Sequence, residues 1–362
     1  MNNGVQQIKT FFSYALVRQL VVLCIIAAVF LLIRLHLPTP QYYLSGATDM
    51  KAVGEIFRND ILEFGGKKAY ARFSEAIAGY GVLDQHGYAH TFGHELYAVE
   101  GEKGIVACDR NFALGCFHQF LGDAIADLGP SSVQRLYAAC ATVVGTKGVC
   151  QHGLGHGVLA SFGYEPADLQ SALDVCDSET ESATYSGCQG GAFMEYNLRT
   201  IASAEETLRK RMPDEGNMYA PCDSVHAASV KICTFWLPQW WYFSVLQDSR
   251  QQGGAHTAYA EMSRLCVDSA YPQSCYEGIG YITPIALGYD PALVRDACDS
   301  VGHTNGGNVY CRGMAALIFH ISPSTRKISA APCKGLSGRS HTVCLEYAAH
   351  DRDFSFSSAE VL

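Results

Sequence analysis

The chain has 362 residues, 48% of them hydrophobic and 17% charged, with a formal net charge of −9. Such a composition can bury one large core or two ordinary ones and excludes a disordered chain. The acidic balance and the lack of any Lys/Arg-rich stripe exclude nucleic acid as a partner.

The first element in chain order is an apolar run, Leu20 to Ile33, flanked by Arg18 and Arg34 with Tyr42 and Tyr43 beyond. With its flanks the run is long enough to span a bilayer, the arginines snorkelling to the surface. Arg34, His36 and Pro38-Thr39-Pro40 stand where a cleaved signal peptide needs small residues. The pattern therefore predicts a transmembrane anchor at 17–37 behind a cytoplasmic tail at 1–16, then a linker at 38–52 and an ectodomain at 53–362. Lys9 and Arg18 precede the span, so the positive-inside rule puts the bulk of this single-pass cell-membrane protein in the periplasm or extracellular space. Cysteine usage agrees: Cys24 lies in the span, and an even number follow it, as in an exported disulfide framework. No N-x-S/T sequon occurs, which favours a bacterial envelope over a eukaryotic secretory route.

Beyond the span the cysteines fall into consecutive couples: Cys108 and Cys116, Cys140 and Cys150, Cys176 and Cys188, Cys222 and Cys233, Cys266 and Cys275, Cys298 and Cys311, Cys333 and Cys344. Separations within couples are 8 to 13 residues, and second members recur every 33 to 45, a spacing that fits a helix pair. After Cys150 an apolar, glycine-bearing run reaches Phe162, then Gly163-Tyr164-Glu165-Pro166 turns into the periodic stretch Leu169, Ala172, Leu173, Cys176. Gly288-Tyr289-Asp290-Pro291 repeats the turn. Each unit thus reads as helix A, a Gly-Pro turn, helix B, a cysteine, a polar loop, and a second cysteine opening the next helix A. Connectivity does not follow from spacing alone; pairing within couples is the simplest scheme because it needs no distant partner. Asp84 stands where the opening cysteine belongs in an additional first unit and can cap its helix.

The joints "ACDRNFALGC", "LDVCDSETESATYSGC" and "RDACDSVGHTNGGNVYC" resemble those of exported bacterial cysteine-rich, tetratricopeptide-like helix-pair repeat proteins. That resemblance implies bridges from an Ala-Cys-Asp helix end to a Gly-Cys helix start. It also implies an all-α solenoid with helices A lining one surface, or an α/α toroid. This chain departs from the pattern in its variable period and in the histidines of helix A, so architecture carries over and function does not.

The chemistry-bearing residues recur in register. Two positions after each opening residue stand His86, His118, His152, Gly190, Phe235, Glu277, Gly313 and Glu346; six after stand His90, Gly122, His156, Met194, Gln239, Tyr281, Leu317 and His350. Residues four apart share a helix face, so His86 with His90 and His152 with His156 are couples, and His94 extends the first by a turn. Imidazoles paired at i and i+4, completed by a third from a neighbouring helix, suit a zinc, copper or iron ion. The expected metal ligands are His86, His90, His94, His118, His152 and His156. Glu195 and Glu277 are the candidate catalytic bases beside a metal-bound water, and Asp123 is a further carboxylate near the histidine face. No HExxH, C-x-x-C or G-x-S-x-G motif occurs. Gly87, Gly93, Gly153, Gly155 and Gly157 suit close helix approach, and "TFWLPQWWYFSV" at 234–245 suits a core or a pocket wall. The functional expectation is an exported metalloprotein, as a metal-dependent hydrolase or oxidase. The alternatives are a metal-trafficking protein, or a non-catalytic solenoid holding a protein or peptide on its concave face.

Overall fold

The computed structural model describes residues 22–23, 44, 47, 49–140, 142–143, 147–179, 185–201, 211–213, 216–302, 304–322 and 324–349. Apart from Val22 and Leu23, the expected span at 17–37 lies outside the described residues, and none of the described helices is long and apolar enough to cross a membrane. The described residues are all-α, without a strand.

The helices are α1 (Met50–Phe64), α2 (Gly66–Ile77), α3 (Val82–Glu100), α4 (Gly115–Leu128), α5 (Val133–Cys140), α6 (Lys147–Phe162) and α7 (Pro166–Glu179). There follow α8 (Cys188–Leu198), α9 (Val230–Trp240), α10 (Gln247–Val267), α11 (Pro272–Ala286), α12 (Pro291–Ser300), α13 (Gly307–Ile321) and α14 (Gly338–Ala349). The local signals act as their chemistry requires. Pro166 and Pro291 open α7 and α12, and the Asp290 carboxylate accepts from the amides of Ala292 and Leu293. α1 starts inside the expected linker, where the Asp49 side chain caps it by accepting from the Ala52 amide at 2.9 Å. Asp84 does not cap α3: Gly81 holds that position, and Asp84 sits in the first turn, where its charge meets the positive end of the helix.

Helices α3, α4, α6, α8, α9, α11, α13 and α14 pack side by side in chain order, each against the next, while α5, α7, α10 and α12 pack against this inner row as outer helices. This is the helix-A and helix-B division that the cysteine spacing predicts. Six described disulfides follow the couples: Cys108 to Cys116, Cys176 to Cys188, Cys222 to Cys233, Cys266 to Cys275, Cys298 to Cys311 and Cys333 to Cys344. Cys150 is disulfide-bonded as well, while the Cys140 side chain lies outside the described set.

The joints differ from the expected anatomy at both of their ends. Not every first cysteine ends a helix B: Cys108 follows a 3-10 segment (Gly101–Ala107), Cys222 lies in a turn, and Cys333 ends a 3-10 turn. Nor does every second cysteine open a helix A. Cys188 is the first residue of α8, but Cys233, Cys275 and Cys311 lie inside α9, α11 and α13, and Cys344 lies deeper still inside α14. The helices start earlier because other residues begin them: Pro272 stands at the first position of α11, and Gly306 precedes α13 in the left-handed conformation. Cys233, Cys275 and Cys311 thereby point their sulfurs into the core, and all three are buried.

The row curves far enough that Gln85, Phe112 and Leu114 near its start and Tyr281, Tyr289 and Ile318 of later units line one cavity of about 560 Å³. Trp236, Trp240 and Trp241 are all buried, so the aromatic stretch is core. Trp236 is also a wall: it lies against the His152 ring at a centroid distance of 5.1 Å.

Candidate metal centre

The histidines meet because α3, α4 and α6 approach closely. A Cβ at Gly93 would overlap the Cys116 carbonyl, one at Gly155 the Cys188 carbonyl and one at Gly191 the His152 carbonyl. Gly153 and Gly157 leave room for the carbonyls of Phe117 and Leu121, at 2.8 and 2.9 Å from such a Cβ. At this separation His86 and His90 of α3, His118 of α4, and His152 and His156 of α6 form two adjoining groups. His86, His90 and His118 have one ligand atom each within 4.8 Å of one another, and so do His118, His152 and His156. His118 belongs to both.

Hydrogen bonds at the far side of the rings decide which nitrogens carry protons. His86 Nδ1 lies 2.8 Å from the Phe112 carbonyl, which only accepts, so Nδ1 is the protonated nitrogen and Nε2 holds a lone pair. The Gln119 amide donates Nε2–H to the Asp123 carboxylate at 2.9 Å, which turns its Oε1 toward His90 Nδ1 at 3.2 Å. His90 is therefore also protonated at Nδ1. Its Nε2 then faces His86 Nε2 across 3.1 Å, lone pair to lone pair. A tetrahedral ion with bonds of about 2.0–2.1 Å to imidazole holds two nitrogens about 3.3 Å apart, close to this separation.

The deeper group brings a second pair of Nε2 atoms together, although His152 Nδ1 is buried without a hydrogen-bond partner to fix its tautomer. His156 Nδ1 lies 2.9 Å from Glu195 Oε2, and its Nε2 faces His152 Nε2 at 3.2 Å. His152 Nε2 also lies 3.4 Å from Met194 Sδ. His118 stacks on His156 at 4.4 Å between centroids, and both of its nitrogens are buried without a hydrogen-bond partner. A neutral imidazole left so costs stability unless something binds it. His118, His152 and His156 are buried; His86 and His90 are half-buried.

Electrostatics keep the set ready to ligate. Burial pushes His90, His118 and His152 well below the ordinary histidine range, with neighbouring imidazoles adding to the effect, and burial lowers His86 as well. Neutral imidazole is the form that binds metal. For Glu195, burial raises the carboxyl, but the hydrogen bond and charge of His156 and the hydroxyls of Thr200 and Tyr164 outweigh it, leaving it lowered.

The expected carboxylates and the sixth histidine have other occupations. Besides His156, Glu195 accepts from the Tyr164 hydroxyl, the Thr200 amide and hydroxyl, and the Ile201 amide. It fixes the His156 ring and has no oxygen left over for a water. Glu277 accepts from Tyr185, Tyr347 and Gln273 on α11. His94 pairs with Asp123 at 2.8 Å on the surface and is in neither group, and its neighbour Glu95 pairs with Arg58. Sequence reasoning did not assign Gln119, the Phe112 carbonyl or Met194 to the site. Met194 had a signal, since it occupies the same register as His90 and His156. The Phe112 carbonyl had none, because Phe112, Ala113 and Leu114 all adopt positive φ, a conformation that side-chain-bearing residues rarely take.

No family model, curated protein or solved structure matches this chain, so its own geometry carries the functional argument.

Proposed function

We propose that this chain is an exported metal-binding protein whose histidine cluster, His86, His90, His118, His152 and His156, holds a transition metal ion. The observation that carries the reading is the pair of His86 and His90, whose remote partners force two Nε2 lone pairs to face each other at 3.1 Å. A metal cation relieves that repulsion with both rings neutral and both remote hydrogen bonds kept. The disulfides support an oxidising, extracytoplasmic setting, and the apolar run at Leu20–Ile33 supports attachment to the membrane.

Holding and passing on the ion fits the site better than hydrolysis. A hydrolytic centre needs a free carboxylate or imidazole to take a proton from bound water. Glu195 is saturated by hydrogen bonds, and Glu277 is engaged by two tyrosines and a glutamine. Nor does the burial of His118, His152 and His156 suit contacts with a docked protein.

Elemental analysis of the purified full-length protein tests the proposal. Wild type is expected to carry transition metal in stoichiometric amount, and His90→Ala, His118→Ala and His152→Ala to lower it, with His118→Ala lowering it most. His94→Ala is expected to leave the content unchanged. Sub-stoichiometric metal in wild type, indifferent to all four substitutions, would sink the reading.

A further inference from the structure

We infer that the deeper group, His118, His152 and His156 together with Met194, is a copper(I) site in which Met194 supplies a thioether ligand. The inference rests on the metal-binding reading above and names the ion for one part of the cluster.

Position is the first argument. α8 packs against α6, and the contact of Gly191 with the His152 carbonyl and of Gly155 with the Cys188 carbonyl leaves no room for the two helices to slide. Met194 therefore meets His152 at a defined height. Its side chain is 5% exposed, and its Sδ lies 3.4 Å from His152 Nε2, which itself lies 3.2 Å from His156 Nε2. His152 Nε2 thus stands within reach of both the thioether sulfur and His156 Nε2, with the unpartnered, fully enclosed His118 stacked on His156.

Softness is the second. Thioether is a weak ligand for zinc and a good one for copper(I), and imidazole suits both. No thiolate competes from the adjoining helix starts, because Cys150 and Cys188 are disulfide-bonded.

The setting is the third. The carboxylate in contact with the group, Glu195, is completely buried and engaged by His156, Tyr164, Thr200 and Ile201, so it orients the imidazole rather than offering oxygen to the ion. The shallower pair of His86 and His90 differs in its setting. It is half-buried, and Gln119 links it to the Asp123 carboxylate.

The test uses the full-length protein in detergent, stripped of metal by a chelator. Copper(I) is offered anaerobically from a chromophoric copper(I) chelator, with ascorbate as reductant because thiols would open the disulfides; zinc(II) is titrated in parallel. The expected result is tight copper(I) binding with a sulfur scatterer beside nitrogens in the copper K-edge absorption spectrum. Met194→Leu, which preserves volume, is expected to lose that scatterer and weaken copper(I) binding by about tenfold or more, with zinc(II) affinity changed less than about twofold. A wild-type spectrum with nitrogen or oxygen neighbours alone overturns the inference whatever the variant does. So does a folded Met194→Leu protein that binds copper(I) as tightly as wild type, or a wild type that takes zinc(II) and refuses copper(I). In those cases the metal-binding reading survives; failure to bind either ion overturns both.

Discussion

Glu277 occupies the same helical register as His118 and His152, yet it meets tyrosine hydroxyls where they meet imidazoles. It is fully buried on α11 and accepts from Tyr185 at 2.9 Å, Tyr347 at 2.6 Å and Gln273 at 3.1 Å. Burial raises its carboxyl above the ordinary value of 4.5, and the three hydrogen bonds only partly offset that. A carboxyl raised by folding holds its proton more tightly in the native state. Its stabilising contribution is therefore complete below 4.5 and is lost as pH climbs through the native value. Glu277→Gln keeps the shape and removes the titration. The variant is expected to melt a few degrees higher than wild type at pH 7, with the gap closing as pH falls to 4.5, in thermal scans across that range. A variant that melts lower at pH 7 but not below 4.5 would mean the ionised carboxylate stabilises the fold. The register at which a side chain stands was legible from the spacing; its occupation was not, because Tyr185 and Tyr347 are separated from Glu277 by 92 and 70 residues.

The glycines of the inner helices show the same division between position and role. Five of them carry the expectation of close approach, and four meet it: Gly93, Gly153, Gly155 and Gly157 each face a neighbouring helix's backbone or side chains. Gly87 does not, since a Cβ there would find nothing within 4 Å. The sequence cannot separate these cases, because what differs is the neighbour across the seam. Energetics can. Gly155→Ala forces a methyl into the Cys188 carbonyl and must push α6 from α8, at a cost of at least about 3 kcal/mol. Gly87→Ala removes the conformational cost of glycine in a helix and stabilises by about 0.5–1 kcal/mol. Denaturant titrations of the two variants are expected to move in opposite directions. Equal and small changes would mean that the inner helices are not in backbone contact. Because Gly155 sits one residue before His156, the first variant should also lose metal, whereas the second should keep it.

At the scale of the molecule, the fold was legible to the extent that it repeats. Six described bridges follow the couples read from spacing, and the inner row and its outer helices follow the helix-pair period. What the period could not foretell is where units replace helix B by 3-10 turns, as before Cys108 and Cys333, or where helix A begins ahead of its cysteine, as at Cys233, Cys275 and Cys311. Nor could it show that the row curves until its start and later units share a cavity. In such an array each unit leans mainly on its neighbours, so a bridge's removal should be felt locally. Closing loops this short is worth about 2–3 kcal/mol apiece in the chain-entropy model, so no one bridge holds the whole molecule. The Cys176–Cys188 bridge joins the end of α7 to the first residue of α8, the helix that carries Met194 and Glu195. The Cys333–Cys344 bridge secures α14, which packs on α13 at the far end of the row. Replacing Cys176 and Cys188 together by alanine is expected to lower metal content and melting temperature alike. The same replacement of Cys333 and Cys344 should lower the melting temperature by a similar amount and leave metal content intact. Elemental analysis beside thermal melting of the two double variants separates a local array from a globally cooperative fold, in which both losses would appear in both proteins.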